Sequence, residues 1–353
     1  MGNNMNLIKS IFLFLLMTAA ALQAQELTLP QVSPHAKVSQ TIGISEITIE
    51  YHRPAVRNRK IWGGLVPYDG SVWRAGANEN TVVTLTHDCK INGRPIAAGS
   101  YGFHIIPSDG EWTLIFSKNH TSWGSFFYDE REDALRIKVQ PAAAQNAEWL
   151  TYGFENLSSE SADVYMHWEK LKVSFKVEFD VDKIVLENIE NELRSYAGFT
   201  WQGFYEAASY CLENNINHAQ ALKWIDQSIS MMENYYNLSV KLHLLEQAGK
   251  DKDVSAVEDR IFKVLETATE NQINTFGYLL LNQNKHEKAV KVFALNVKRF
   301  PDSWNVYDSL ADAYARTGKK KEAVKQYQEA LSRAPEDQKD RIRRILDELR
   351  ARS

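Results

Sequence analysis

The sequence predicts two domains of different class: an N-terminal all-β sandwich or barrel and a C-terminal all-α solenoid of helical repeats. Three observations carry this. Apolar residues alternate with a period of two from Val38 to Asp180, the period turns helical beyond Asp180, and a pattern recurs thirty-four residues apart near the end of the chain. A chain of 353 residues has room for two domains of ordinary size.

Composition narrows the class. A hydrophobic fraction of 44% with 24% charged residues is that of a folded globular protein, and a net charge of −4 argues against nucleic-acid binding. The first two dozen residues read as an export signal. Lys9 precedes the apolar run from Ile11 to Leu22, small residues follow at Ala21 and Ala24, and cleavage is expected after Ala24 despite the bulky Leu22. The run is too short for a span of roughly 20 residues, so no membrane segment is expected after cleavage, and the mature chain is expected to be periplasmic or secreted. Cys89 and Cys211 fall in different domains, which suits two free, buried thiols.

The all-β domain is placed at 25–180. Ile47, Ile49 and Tyr51 alternate with polar residues, as do Tyr101, Phe103 and Ile105 against Gly102 and His104, then Trp112, Leu114 and Phe116, and Leu135, Ile137 and Val139. The clearest run sets Leu171, Val173, Phe175, Val177 and Phe179 against Lys172, Ser174, Lys176, Glu178 and Asp180. Asn92-Gly93 reads as a two-residue hairpin turn, because both central positions favour positive φ, and 107–110 reads as a second hairpin loop. Eight or nine short strands are expected.

A connecting helix is expected over 181–200, from Ile184, Val185, Ile189 and Leu193. Beyond it, over 201–353, Gly277, Ala289, Phe293 and Pro301 recur as Ala311, Ala323, Tyr327 and Pro335. Small residues let paired helices approach, aromatics fill the space beside them, and Pro ends the pair. This resembles a tetratricopeptide repeat, with copies at 304–335 and 271–301, a third unit around Ala221–Ile229 and a degenerate fourth over 235–267. Ile342, Ile345, Leu346 and Leu349 form the apolar stripe of a capping helix. Such stacks commonly hold a peptide or protein partner on a concave face; scaffolding of the β half is the other reading.

No nucleophile elbow, P-loop, dinucleotide fingerprint or H-E-x-x-H motif is present, so no catalytic residue, metal or cofactor is assigned. The candidate ligand site is the stretch from Arg53 to Thr81. Arg53, Arg57, Arg59, Lys60 and Arg74 cluster there with Asp69 the only acid among them, and a guanidinium fork suits carboxylate, phosphate or sulfate. Trp62 and Trp73 would stack on a sugar or shield the cations, Tyr68, Trp123 and Tyr128 would extend that wall, and Asn78 would bond the ligand beside Gly76. The ligand-binding set is therefore Arg53, Arg59, Lys60, Trp62, Trp73, Arg74 and Asn78. The competing reading makes them loop anchors, with Arg53 and Arg74 paired to acids such as Glu79 or Asp133 and the indoles plugging the core.

The motifs RPAVRNRKIWGGLVPYDGSVWRAGANENT, INGRPIAAGSYGFHIIP, EWTLIFSK and WGSFFYDEREDALRI are similar to those of the domain of unknown function 2911 family, over 33–180. The resemblance implies an exported bacterial protein and no particular activity. Together these readings favour a binding and interaction protein, with an anionic or glycan ligand on the β half and a protein or peptide on the repeats. The rivals are an envelope hydrolase assembled from distant strands, for example His104 or His52 with Asp129 or Glu79 and an Arg, and a purely structural assembly protein.

Overall fold

The structure, a computed structural model, describes residues 29–351. The expected export signal at 1–24 lies outside them. Among the described residues no helix is long and apolar enough to cross a membrane. The chain divides into two compact units between Glu187 and Asn188.

The first unit is built from two antiparallel sheets. The larger orders β1 (His35–Ile42), β2 (Ser45–His52), β3 (Thr81–Leu85), β6 (Gly99–Ile106), β7 (Trp112–Ser117) and β8 (Asp133–Val139). The smaller orders β5 (Arg94–Ile96), β4 (Cys89–Ile91), β10 (Ser161–Glu178) and β9 (Ala142–Glu155). The alternating residues behave as their period dictates. Ile47, Ile49, Tyr101, Phe103, Ile105, Leu114 and Phe116 join Leu150, Val164, Val173, Phe175 and Val177 in one core shared by both sheets. Asn92 and Gly93 both adopt positive φ in the β4–β5 turn, as expected of that dipeptide.

Among the described residues the two sheets hold ten strands rather than eight or nine, and two of them are long. The extra length was hidden by a bulge. Val164, Met166 and Trp168 point inward, and then Leu171, Val173, Phe175 and Val177 take over on odd numbers. The pairing of β10 with β9 shifts on both sides of Glu169, which stands at φ 51°. The inward phase reverses at this irregularity, so a single period of two never runs through the whole strand.

The second unit repeats one helix pair. After α1 (Val181–Glu192) and a short 3-10 turn (Tyr196–Phe199) come α2 (Trp201–Glu213) with α3 (His218–Met231), and α4 (Tyr235–Gln247) with α5 (Asp251–Val264). Then follow α6 (Glu270–Asn282) with α7 (His286–Arg299), α8 (Trp304–Arg316) with α9 (Lys320–Arg333), and α10 (Glu336–Ala351). The connecting helix is thus shorter than the sequence pattern suggested. The turn inside each pair is the same device, a residue in the left-handed region at Asn215, Gly249, Asn284 and Gly318. In each, the next N–H reaches back across the turn, from Ile216, Lys250, Lys285 and Lys319 to the carbonyls of Cys211, Leu245, Leu280 and Tyr314 at 2.9 to 3.0 Å. The degenerate unit over 235–267 therefore turns as the others do.

Within the pairs the small residues are sealed: Ala221, Ala289, Ala311, Ala323 and Ala330 are all fully buried. Ile342 and Leu346 of α10 close the last core layer onto Tyr307, Tyr327 and Ala330. Glu258 of α5 is 1% exposed and is held by Lys285 and Lys288 at the start of α7, so its charge is matched where it is buried. Gly277 is fixed by its partner: a β-carbon there would stand 2.6 Å from the ring of Phe293, which has no exposed surface. Gly277→Ala should therefore lose stability. Overpacking costs about 1–3 kcal/mol and the gain in helix propensity returns about 1 kcal/mol, so a net loss of roughly 1 kcal/mol is expected in chemical denaturation.

Candidate functional site

Between β2 and β3 the chain leaves the sheet for a long loop, and the loop is threaded back through the core. Trp62 is 9% exposed and lies among Trp112 (4.7 Å between ring centroids), Trp73 (5.8 Å) and Trp168 (5.8 Å). Trp73 stacks on Trp168 at 5.9 Å. Its backbone N–H and carbonyl each bond Ile105 at 2.8 Å, so Trp73 extends the line of β3 along β6.

That bridge decides where the next residue points. Strand residues alternate faces. With Trp73 and Ile105 directed to the core, Arg74 and His104 go to the opposite face of the larger sheet. Residues 118–132 fold back over this outer face. Asn119 N–H bonds Ser117 Oγ at 3.2 Å, Ser125 Oγ lies 2.9 Å from His104 Nδ1, and the Tyr128 ring meets the His104 ring edge-on at 5.3 Å. A pocket of about 180 Å³ opens there, lined by Val72, Trp73, Arg74, Ser125 and Phe126.

Arg74 is the charge of this pocket. One donor goes to the Asn78 carbonyl at 2.9 Å, and the guanidinium lies over Trp123 (5.4 Å) and Phe126 (5.9 Å). Among the described residues it has no ion pair within bonding distance. Burial pushes its pKa down, with the more distant Glu79 opposing. Gly124 stands at φ 65°, and a β-carbon on it would collide with the Arg74 guanidinium. The turn before Ser125 thus makes room for the cation.

His104 lies buried behind Ser125. It is 2% exposed, and loss of solvent pushes its pKa down to about 4, against a smaller upward pull from Asp133. Asp133 accepts from the Tyr128 hydroxyl, 2.8 and 3.0 Å from its two oxygens, and from Arg136 Nε.

The seven residues singled out in the sequence separate by geometry. Arg53 donates to the Leu150 carbonyl (2.9 Å) and Thr151 Oγ1 (2.7 Å), tying the loop to β9. Arg59 donates to the carbonyls of Val56 (3.1 Å) and Ala55 (2.6 Å). Asn78 holds the N-terminal arm through Gln31 Oε1 (3.0 Å) and the Ser33 carbonyl (3.2 Å). Trp62 is in the core, Trp73 is half in it with its indole N–H on the Gly76 carbonyl (3.2 Å), and Lys60 is exposed. Only Trp73 and Arg74 line the pocket. Glu79 meets His52 at 3.2 Å, not an arginine, and Asp129 closes on Arg131. The Trp123 ring lies under the Arg74 guanidinium, whereas Tyr68 lies over Gly63.

Ser125 and Phe126 were not singled out. Their signal was the even, outward phase of His104 on β6, which calls for a cover, and the Gly-Ser pair within WGSFFYDE. No metal-binding group of three or more His, Cys, Asp or Glu side chains occurs among the described residues.

Residues 33–177 match the family described as "Protein of unknown function (DUF2911)". Residues 304–337 match the tetratricopeptide repeat. No curated protein matches the chain. It is similar to the solved MamA 41-end fragment from Desulfovibrio magneticus RS-1, at 16% identity over 43% of this chain and 84% of that one, with a TM-score of 0.33. It is also similar to YrrB, a TPR protein with an unusual peptide-binding site, at 16% identity over 44% and 78%, with a TM-score of 0.32. A third is the C-terminal part of a TPR repeat-containing protein from Cytophaga hutchinsonii, at 15% over 42% and 58%, with a TM-score of 0.34.

The His104 environment makes the first unit sensitive to acid. The unfolded chain takes up this proton near pH 6.5 and the folded chain only near pH 4, so stability falls as pH drops through that interval. The loss should approach about 3 kcal/mol at most. His52, also held low by burial, acts in the same direction. Denaturation midpoints compared at pH 7 and pH 4 should show a markedly smaller difference in His104→Gln than in the wild type.

Proposed function

We propose that the first unit is a ligand-binding module for an anionic end group of a glycan or peptide, taken at Arg74, and that the helical unit recruits a protein partner. The tetratricopeptide repeat itself supports a protein-interaction role. The observation that carries the ligand reading is a half-buried guanidinium without a carboxylate partner among the described residues, facing an open pocket. A desolvated cation gains from an incoming anion what it has lost in hydration. Ligand pockets for whole small molecules run to about 300–1,000 Å³. At about 180 Å³ this one fits an end group, with the rest of the ligand lying outside. Trp123 and Phe126, 54% and 73% exposed and stacked on one another at 5.7 Å, offer that remainder a flat apolar surface.

The same reading places the protein outside the cytoplasm, where such ligands occur. It draws on Lys9, the apolar run to Leu22 and the small residues up to Ala24.

Isothermal titration with an oligouronate and with its methyl ester tests the ligand site. The acid should bind and the ester should not, and Arg74→Gln should weaken the acid roughly tenfold or more, the worth of a hydrogen bond to a charged group. Trp123→Ala should weaken both the acid and any longer glycan carrying it. Equal affinity of acid and ester, or an unchanged Arg74→Gln, overturns the reading.

A further inference from the structure

We propose that Ser125 and His104 are a nucleophile and its general base, and that the Arg74 pocket opens an activated acyl group, an ester or thioester, carried next to an anion. This rests on the ligand site proposed above and adds a reaction to it.

The geometry has three parts. Ser125 Oγ is half-exposed, lines the pocket beside Arg74, and lies 2.9 Å from His104 Nδ1. His104 stands on β6, the strand flanked by β3 and β7, and its ring is braced by Tyr128, itself fixed to Asp133 and Arg136. As the base, His104 acts in the tautomer with hydrogen on Nε2, which leaves Nδ1 to accept from the serine. A histidine that needed only to satisfy its own nitrogen would be served by any carbonyl of the covering loop. Here its partner is the hydroxyl of a residue that lines a pocket.

In the forward step Ser125 Oγ bonds to the acyl carbon, its proton passes to Nδ1, and that proton leaves with the departing alcohol or thiol. Water then cleaves the acyl-serine: its proton goes to Nδ1 and returns to Oγ, and the acid is released. Arg74 holds the neighbouring anion and so sets the acyl group beside Ser125 in the same pocket. A base as weak as this buried imidazole limits the reaction to good leaving groups, hence esters and thioesters rather than amides.

The test is labelling of the full chain with an alkyl fluorophosphonate, read by intact mass and peptide mapping. Phosphorus bonds to Oγ, fluoride leaves, and the serine proton is lost through Nδ1. The expected result is one adduct on Ser125, absent from Ser125→Ala and from wild type unfolded in urea, and forming about a hundredfold more slowly in His104→Gln. No adduct on Ser125, equal labelling of the unfolded chain, or an unchanged rate in His104→Gln overturns the pair. If His104→Gln does not fold, the comparison of native and unfolded wild type decides. Titration of the wild type with the oligouronate separates the two readings: binding without labelling removes the reaction and leaves the site, whereas no binding removes the site.

Discussion

The packing of Trp62 against Trp73, Trp112 and Trp168 is the contact on which the first unit depends. Two of these rings come from the loop between β2 and β3, one from each sheet. Rings of this size bury large apolar areas, and edge-on and offset pairs add attraction beyond that area. The cluster therefore does more than fill space. It pulls a long, glycine-rich, strongly cationic loop into the core and fixes the backbone on either side of each indole. The Tyr152 hydroxyl and Thr81 Oγ1 complete the anchoring at the Ala75 carbonyl, at 2.8 and 3.2 Å.

Once the loop is pinned at Trp73, the outer face of the sheet inherits its chemistry. Arg74 has no choice of side, because its neighbour pairs with Ile105 and points inward. His104 is on the same side for the same reason. Residues 118–132 then cover this face, burying Ile115 and Ser117 on β7 to 0% and 1% exposure, and bring Ser125 between the cation and the imidazole. The site is thus a by-product of packing on both faces: the core sets which side chains point out, and the covering loop decides which of them stay reachable. In the helical unit the corresponding constraint is the left-handed turn within each pair, which lets two helices fold back on one another with almost no connecting chain.

The cationic run looked like a site because five basic residues share a short stretch. Two of them, Arg53 and Arg59, donate to the protein's own carbonyls, and Arg57 and Lys60 are exposed. A long loop crossing a sheet leaves backbone acceptors without strand partners, and buried acceptors must find donors. Arg53 and Arg59 supply them at Leu150, Ala55 and Val56. Nothing in the spelling of the loop separates those arginines from Arg74, since the difference is which carbonyls happen to lie within reach. Ser125 stands about fifty residues from Arg74 in the chain and is joined to it only through the outer face of one sheet.

Local pattern determined what depends on near neighbours. The period of two gave the inward residues of β2, β6, β7 and the end of β10, Asn92-Gly93 gave a hairpin, and small residues at fixed spacing gave the repeats, because each is a matter of backbone geometry over a few residues. The tertiary structure alone decided the rest. It reversed the phase of β10 at Glu169, sealed Trp62 in the core, tied Arg53, Arg59 and Asn78 to the protein itself, and brought Arg74 and Ser125 to one pocket with His104 behind the serine. Those outcomes turn on contacts between residues far apart in the chain, whose distances no local periodicity encodes.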